Sequence, residues 1–192
     1  MCYLFKVMCY IKRNAVSRFR YLLYSLIPGL YFKKIGKGTV FHGSITVATI
    51  GYNNITVGSK CCFGRHVFLS ASQGGFIKIG NGSSVNTGCH VVAVYGIEIG
   101  DDTMIAEYVS IRDQNHSFDD REQPINRQGF NGYPIKIGSN VWIGRGVFVG
   151  PGVEIGDGVI IGANSVVNRD IPSNSIAVGC PARVIKKNNH NK

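Results

Sequence analysis

An aliphatic residue returns at every sixth position from Ile137 onward: Ile137, Ile143, Val149, Ile155, Ile161 and Val167. Glycine follows all but the last of them, as Gly138, Gly144, Gly150, Gly156 and Gly162, and Asn168 follows Val167. Neither the helical period of about 3.6 residues nor strict strand alternation spaces apolar residues in this way. A period of six belongs to hexapeptide parallel β-helices, whose short rungs stack and bury a continuous core.

The same phrase recurs earlier in triplets. Val57-Gly58, Phe63-Gly64 and Leu69 form one, Ile79-Gly80, Val85-Asn86 and Val91 a second, and Ile99-Gly100, Ile105-Ala106 and Ile111 a third. Ile35-Gly36 and Phe41-His42 make a weaker start. Three hexads, about eighteen residues, make one triangular coil. The step from Ile99 to Ile137 exceeds a coil by about twenty residues, so one long loop leaves the solenoid there.

The pattern therefore predicts an all-β solenoid over 35–172, with irregular stretches at 46–54 and 73–76 and an inserted loop at about 113–134. Asn81-Gly82, Asp101-Asp102, Ser139-Asn140 and Asp157-Gly158 follow aliphatic-glycine pairs and suit turn backbone, a structural role. Residues 173–192 form a C-terminal segment ending in a polar tail.

Residues 1–34 read differently. Over 3–27, Leu4, Met8, Ile11, Ala15, Phe19, Leu22, Leu23 and Leu26 fall on one helical arc, and Lys6, Arg13 and Arg20 on the other. Pro28-Gly29 ends this amphipathic helix. Its longest uncharged run, Tyr21 to Phe32, is too short to cross a bilayer, and no small-residue cleavage site marks a signal peptide. The helix either caps the open end of the solenoid, or packs on another subunit, or lies on an anionic membrane surface. These roles are compatible.

At 192 residues and 44% apolar, the chain can bury one substantial core. Its net charge of +10 is unevenly placed: eleven Lys and Arg precede Glu98, the first acidic residue. Such a half attracts phospholipid, a phosphate-bearing substrate or nucleic acid, and the cations are not interleaved with a nucleic-acid-binding motif. The six cysteines form no C-x-x-C pair. Cys61 and Cys89 occupy the hexad slot filled elsewhere by Val141, Val147 and Ser165, so they are expected to fill the core in a reducing, cytoplasmic setting.

The long loop begins Asp113-Gln114-Asn115-His116-Ser117-Phe118 and ends Gly132-Tyr133-Pro134. A loop of this length in a regular solenoid is functional or disordered. Phe118, Ile125, Phe130 and Tyr133 are expected to anchor it, which favours function.

With Ile137-Gly138-Ser139-Asn140-Val141-Trp142-Ile143-Gly144, Asn168-Arg169-Asp170-Ile171-Pro172 and Gly179-Cys180-Pro181-Ala182-Arg183, the chain resembles the hexapeptide-repeat acyltransferases over most of 35–187. The likeness is greatest to the galactoside, maltose and bacterial polysaccharide O-acetyltransferases. It implies a left-handed parallel β-helix, an exception to the right-handed crossover rule. It also implies a homotrimer with active sites between subunits and acetyl-CoA as co-substrate. His116, beside Asn115, matches the family's catalytic histidine. An imidazole with a pKa near 6.5 can take the proton of a sugar hydroxyl as it attacks a thioester.

Further expectations follow from the resemblance. Asn86 matches a position at the acceptor or acyl group, or else caps a turn. Asp113 or Glu107 is a candidate to orient the imidazole, and Asp113 equally suits a turn or an ion pair with Arg112. Trp142 matches a cleft wall. Gly144, Ala163, Arg169, Arg183 and Lys186 match CoA-binding positions, although Lys186 also suits plain surface. The family's sugar-binding acid would fall near Ala93-Val94, and its absence puts a galactoside acceptor in question.

The leading expectation is an O-acetyltransferase acting on a saccharide in surface-polysaccharide biosynthesis, with a peripheral membrane location and no nucleic-acid partner. The alternatives are N-acetylation of a nucleotide-linked amino sugar and a non-catalytic trimeric scaffold. A three-histidine zinc site is disfavoured, because His42, His66 and His90 stand one, three and five residues after their aliphatic and should not converge.

Overall fold

The computed structural model describes residues 15–24, 32–49, 54–72 and 74–188. The hexads fold as the period demands, into a left-handed parallel solenoid of about six turns. The first sheet stacks Lys34–Ile35, Ile55–Val57, Ile77–Ile79, Ile97–Ile99, Ile135–Ile137 and Glu154–Ile155. The second carries Val40–Phe41, Cys62–Phe63, Ser84–Val85, Met104–Ile105, Trp142–Ile143 and Ile160–Ile161, then Ser175–Gly179 and the antiparallel Ala182–Lys187. The third holds Thr46–Thr49, Phe68–Ala71, His90–Ala93, Ser110–Arg112, Phe148–Val149 and Val166–Val167.

Each strand is short because the chain must turn a corner after it. One residue per turn at the first two corners takes a left-handed backbone, supplied by Gly82, Asn140 and Gly158 between the first and second sheets, and by Gly88, Gly146 and Asn164 between the second and third. The hexad aliphatics point inward, and Ile55, Ile77, Ile97 and Ile135 stack as one fully buried column. The glycine after each aliphatic lets the next rung sit close: a Cβ on Gly144 would stand 2.7 Å from the Ala163 nitrogen.

The outer faces differ. The first sheet presents Lys78, Glu98, Lys136 and Glu154 in register, with the Lys78–Glu98 ion pair at 2.8 Å. The second and third present apolar groups, including exposed Met104 and Trp142 and half-buried Phe68 and Phe148.

Residues 15–24 are helical and cover the N-terminal end of the stack. Buried Ser17 accepts the Phe41 N–H at 3.1 Å, and Tyr24 meets the Phe41 ring at 4.9 Å, which in turn stacks on Phe63. That is the capping role. The remainder of the helix expected over 3–27, its Pro28-Gly29 stop and the tail beyond 188 lie outside the described residues. Among the described residues no helix is long and apolar enough to cross a membrane.

Two boundaries move. Thr46–Thr49 is a regular strand in register with Phe68–Ala71, because Val47 faces Leu69 although no aliphatic-glycine pair announces it. The solenoid also runs past 172: Ile171 bridges to Ile155, and Ile176-Ala177 pairs with Ile160-Ile161, so small Ala177 takes the inward place six residues after Ile171.

Cys61 and Cys89 fill the core as their slots require. Burial pushes the Cys89 thiol up from 9.0 to about 11. Exposed Cys180 should therefore react with a thiol reagent at pH 8 while Cys61 and Cys89 wait for unfolding. Because the unfolded chain releases the Cys89 proton first, its term lowers stability as pH rises from 9.0 to about 11, measurable as a falling urea midpoint that Cys89→Ala removes.

Candidate active site

The loop leaves the third corner, where the third sheet passes to the first, as an antiparallel hairpin. Gln114–His116 pairs with Phe130–Gly132, placing His116 opposite Phe130. The imidazole lies on the Phe130 ring at 4.5 Å and is exposed, with no hydrogen bond to its ring nitrogens among the described residues. A side chain on a hairpin rooted in a rigid solenoid is held far better than one on a free loop.

Asp113 supplies the root. It is fully buried, and its carboxylate accepts the N–H groups of Val94 (2.9 and 3.1 Å), Tyr95 (2.8 Å) and Gly96 (2.7 Å). Its backbone oxygen accepts the Tyr133 N–H at 3.0 Å, closing the base of the hairpin. The expectation that Asp113 orients His116 is corrected: both carboxylate oxygens are committed to the rung above. Nor does it pair with Arg112. Glu107 stands at a different corner from the hairpin and does not meet the imidazole within one chain.

The expected apolar anchors are also corrected. Phe118, Ile125, Phe130 and Tyr133 are 66%, 56%, 44% and 73% exposed. Polar bonds order the loop instead: Gln128 Nε2 donates to the carbonyls of Asp120 and Gln123, and Asp120 Oδ2 accepts from Gln123 Nε2 at 2.7 Å. Below the hairpin lies a cavity of about 360 Å³, lined by Asn115, Asn131, Tyr133, Phe148 and Asn168 among others. Gln114 Oε1 is buried near its root with no partner among the described residues.

The other expected residues gather at the second corner, between the second and third sheets. Reading down the stack, Asn86, Gly144 and Ala163 share it, Trp142 stands on the second sheet beside it, half exposed, and Arg183 follows the turn that Gly179 ties to Ser165 at 3.0 Å. Arg183 Nη1 donates to the Ala182 carbonyl. Asn86 Nδ2 donates to the Ile105 carbonyl at 3.1 Å, tying its rung to the next rather than capping its own turn, while Oδ1 has no partner among the described residues. Arg169 sits at the third corner, and Lys186 lies on the outer strand opposite Ile176, away from this group.

His116 and the Asn86-Gly144-Ala163 column thus occupy opposite edges of the third sheet. One chain does not bring them together. No cluster of metal-ligating side chains occurs among the described residues. His42 and His66 line one cavity, while His90 stacks on Phe68 at 5.4 Å. The His66 N–H donates to the Ser44 carbonyl, which draws adjacent rungs together at that corner.

Residues 134–169 match the family described as bacterial transferase hexapeptide (six repeats). The chain is 36% identical over 144 residues to the "Putative lipopolysaccharide biosynthesis O-acetyl transferase WbbJ" of Escherichia coli (strain K12), covering 71% of this chain and 74% of that one. Among solved structures, a maltose O-acetyltransferase from Clostridium difficile 630 is 38% identical with a TM-score of 0.60, over 83% of this chain and 71% of that one. A galactoside acetyltransferase in complex with coenzyme A is 32% identical with a TM-score of 0.55, over 82% and 66%.

Replacing Asp113 by Ala strands the three N–H groups it serves. The unfolding free energy should fall by about 3 kcal/mol or more in urea titration, with amide exchange rising at 94–96 before the remaining rungs.

Proposed function

Because the chain belongs to the bacterial hexapeptide-repeat transferases, we propose that it moves the acetyl group of acetyl-CoA to a hydroxyl of a saccharide, with His116 as general base. The observation that carries this is the hairpin: it fixes an exposed imidazole, tilted against the Phe130 ring and free of competing hydrogen bonds among the described residues. One ring nitrogen takes the hydroxyl proton as the oxygen attacks the thioester carbonyl. The tetrahedral intermediate then expels the CoA thiolate, which takes the proton back from the imidazolium. Such base assistance is worth about 10²–10⁴-fold.

Acetyl-CoA is the donor. We place it along the second corner against Gly144 and Ala163, with Trp142 as a wall and Arg183 toward the nucleotide phosphates, where a guanidinium binds well. Asn86, with Asn115 on the facing hairpin, borders the acceptor. Arg169 and Lys186 serve the cofactor only where a neighbouring copy brings them to it.

The assembly is a homotrimer in this reading. Charged residues on the first sheet favour solvent, whereas the apolar outer faces of the second and third sheets, and exposed Phe118, Ile125 and Tyr133, favour burial against a second copy. That copy carries His116 to the corner its own Asn86 and Gly144 do not reach.

The acceptor class is a surface polysaccharide or its precursor, on the strength of the likeness to WbbJ. Val16, Phe19 and Leu23 are 46%, 65% and 46% exposed on one helical face with Arg18 beside them, which suits peripheral contact with the inner leaflet of the cytoplasmic membrane.

His116→Ala should lower kcat by about 10²–10⁴-fold and leave CoA affinity unchanged in titration calorimetry; turnover near the parent rate would remove the proposed base. Transfer to an amino sugar but not to hydroxyl acceptors would replace O- by N-acetylation. The double variant Phe19→Ser/Leu23→Ser should lose flotation with phosphatidylglycerol vesicles, and unchanged flotation would remove the membrane contact.

A further inference from the structure

We infer that the second corner continues above the transfer site into a subsite for a phosphate group on the acceptor, built by Arg20, His42, Arg65 and His66. This rests on the acyltransferase reading above and narrows its substrate class to phosphate-bearing saccharides.

A cavity of about 420 Å³ lies where helix 15–24 meets the first two rungs, lined by Val16, Arg20, His42, Ser44, Arg65 and His66 among others. Two arginines line it and no carboxylate does. Every acidic residue of the chain stands at or after Glu98, and the acid of this corner, Glu107, is two rungs below Arg65. Among the described residues the ion pair is Lys78–Glu98, so neither arginine is neutralised by one. Two arginines lining one cavity without a carboxylate favour an anion there, and a guanidinium can bind a phosphate bidentately.

Two features show that the cluster is held in place. A Cβ on Gly43 would stand 2.8 Å from Arg65 Cβ and 2.9 Å from its Cα, so glycine there lets the arginine stem cross the rung above. His66 takes the left-handed backbone regular to this corner, with a φ of 55° against 58° at Tyr108 two rungs below, and its N–H is bound to the Ser44 carbonyl at 2.8 Å.

The position relative to the reaction sets the ligand class. Gly88 N–H donates to the Arg65 carbonyl at 2.9 Å, and Arg65 N–H meets Thr87 Oγ1 at 3.4 Å, so the cavity begins one rung above Asn86. Rungs are about 4.8 Å apart, which puts His42 and Ser44 about 10 Å from the Asn86 rung. That interval leaves space for a sugar ring between a reacting hydroxyl and a phosphate. The acceptor is therefore a glycosyl phosphate or diphosphate, whose remaining ester is either a soluble group or a lipid.

The test uses the full chain, with inorganic pyrophosphate as probe in titration calorimetry. Arg20→Gln/Arg65→Gln should bind it at least tenfold more weakly while CoA affinity is unchanged. Gly43→Ala, which keeps both charges but displaces Arg65, should weaken it as well. If pyrophosphate also displaces the protein from phosphatidylcholine vesicles containing phosphatidic acid, the subsite takes a lipid phosphate; if vesicles are not displaced, the phosphate it takes is soluble. Equal affinity of the parent and the double variant, or no binding by the parent, overturns the subsite. Neither result touches His116, whose failure would show as turnover in His116→Ala with pyrophosphate binding intact.

Discussion

Everything in this molecule depends on rung-to-rung stacking: each hexad's backbone N–H donates to the carbonyl of the next coil, as Gly144 does to Ile161 at 2.8 Å, while an aliphatic every six residues fills the axis. Both requirements hold at once because the first two corners keep six residues per side, while the third corner absorbs every variation in length, from Val167 to Ile171 up to Ile111 to Ile137. A chain under that constraint has no freedom within its faces. Additional residues can leave only at a corner, and they must return to the rung they left.

The hairpin obeys this rule. Asp113 ends one rung, holds three N–H groups of the rung above, and receives the returning Tyr133 N–H on its own carbonyl. The carboxylate that sequence proximity suggests as a catalytic partner is thus a structural clamp, and it acts on His116 only by fixing where the hairpin starts. The same stacking makes the second corner a straight edge. Residues of successive rungs line up along it, from Arg65 through Asn86 and Gly144 to Ala163, with Arg20 of the helix at the cavity above them, and this is the edge along which we place donor and acceptor.

Much of this was legible in the sequence, and for a physical reason. The period of six is a direct image of the fold, because one aliphatic must point inward from every side of the triangle. The fold class, the insertion at 113–134 and the core places of Cys61 and Cys89 all follow from it. The strand at Thr46–Thr49 and the final side at Ser175–Gly179 were hidden, since the aliphatic-glycine pair is missing and Val47 and Ala177 satisfy the core alone. Loop anchoring was misjudged for a different reason. Apolar Phe118 and Tyr133 suggest burial, but a single chain offers them no surface, and hydrogen bonds of Asp120 and Gln128 order the loop.

The central claim is that the histidine of one copy serves the donor channel of another. It is tested most directly by co-expressing two inactive variants, His116→Ala and Ala163→Trp, and assaying oligomers verified to contain both. The account predicts that acetyl transfer returns, because a chain with an intact Ala163 meets a neighbour with an intact His116. Mixed oligomers that remain as inactive as either variant alone would contradict it.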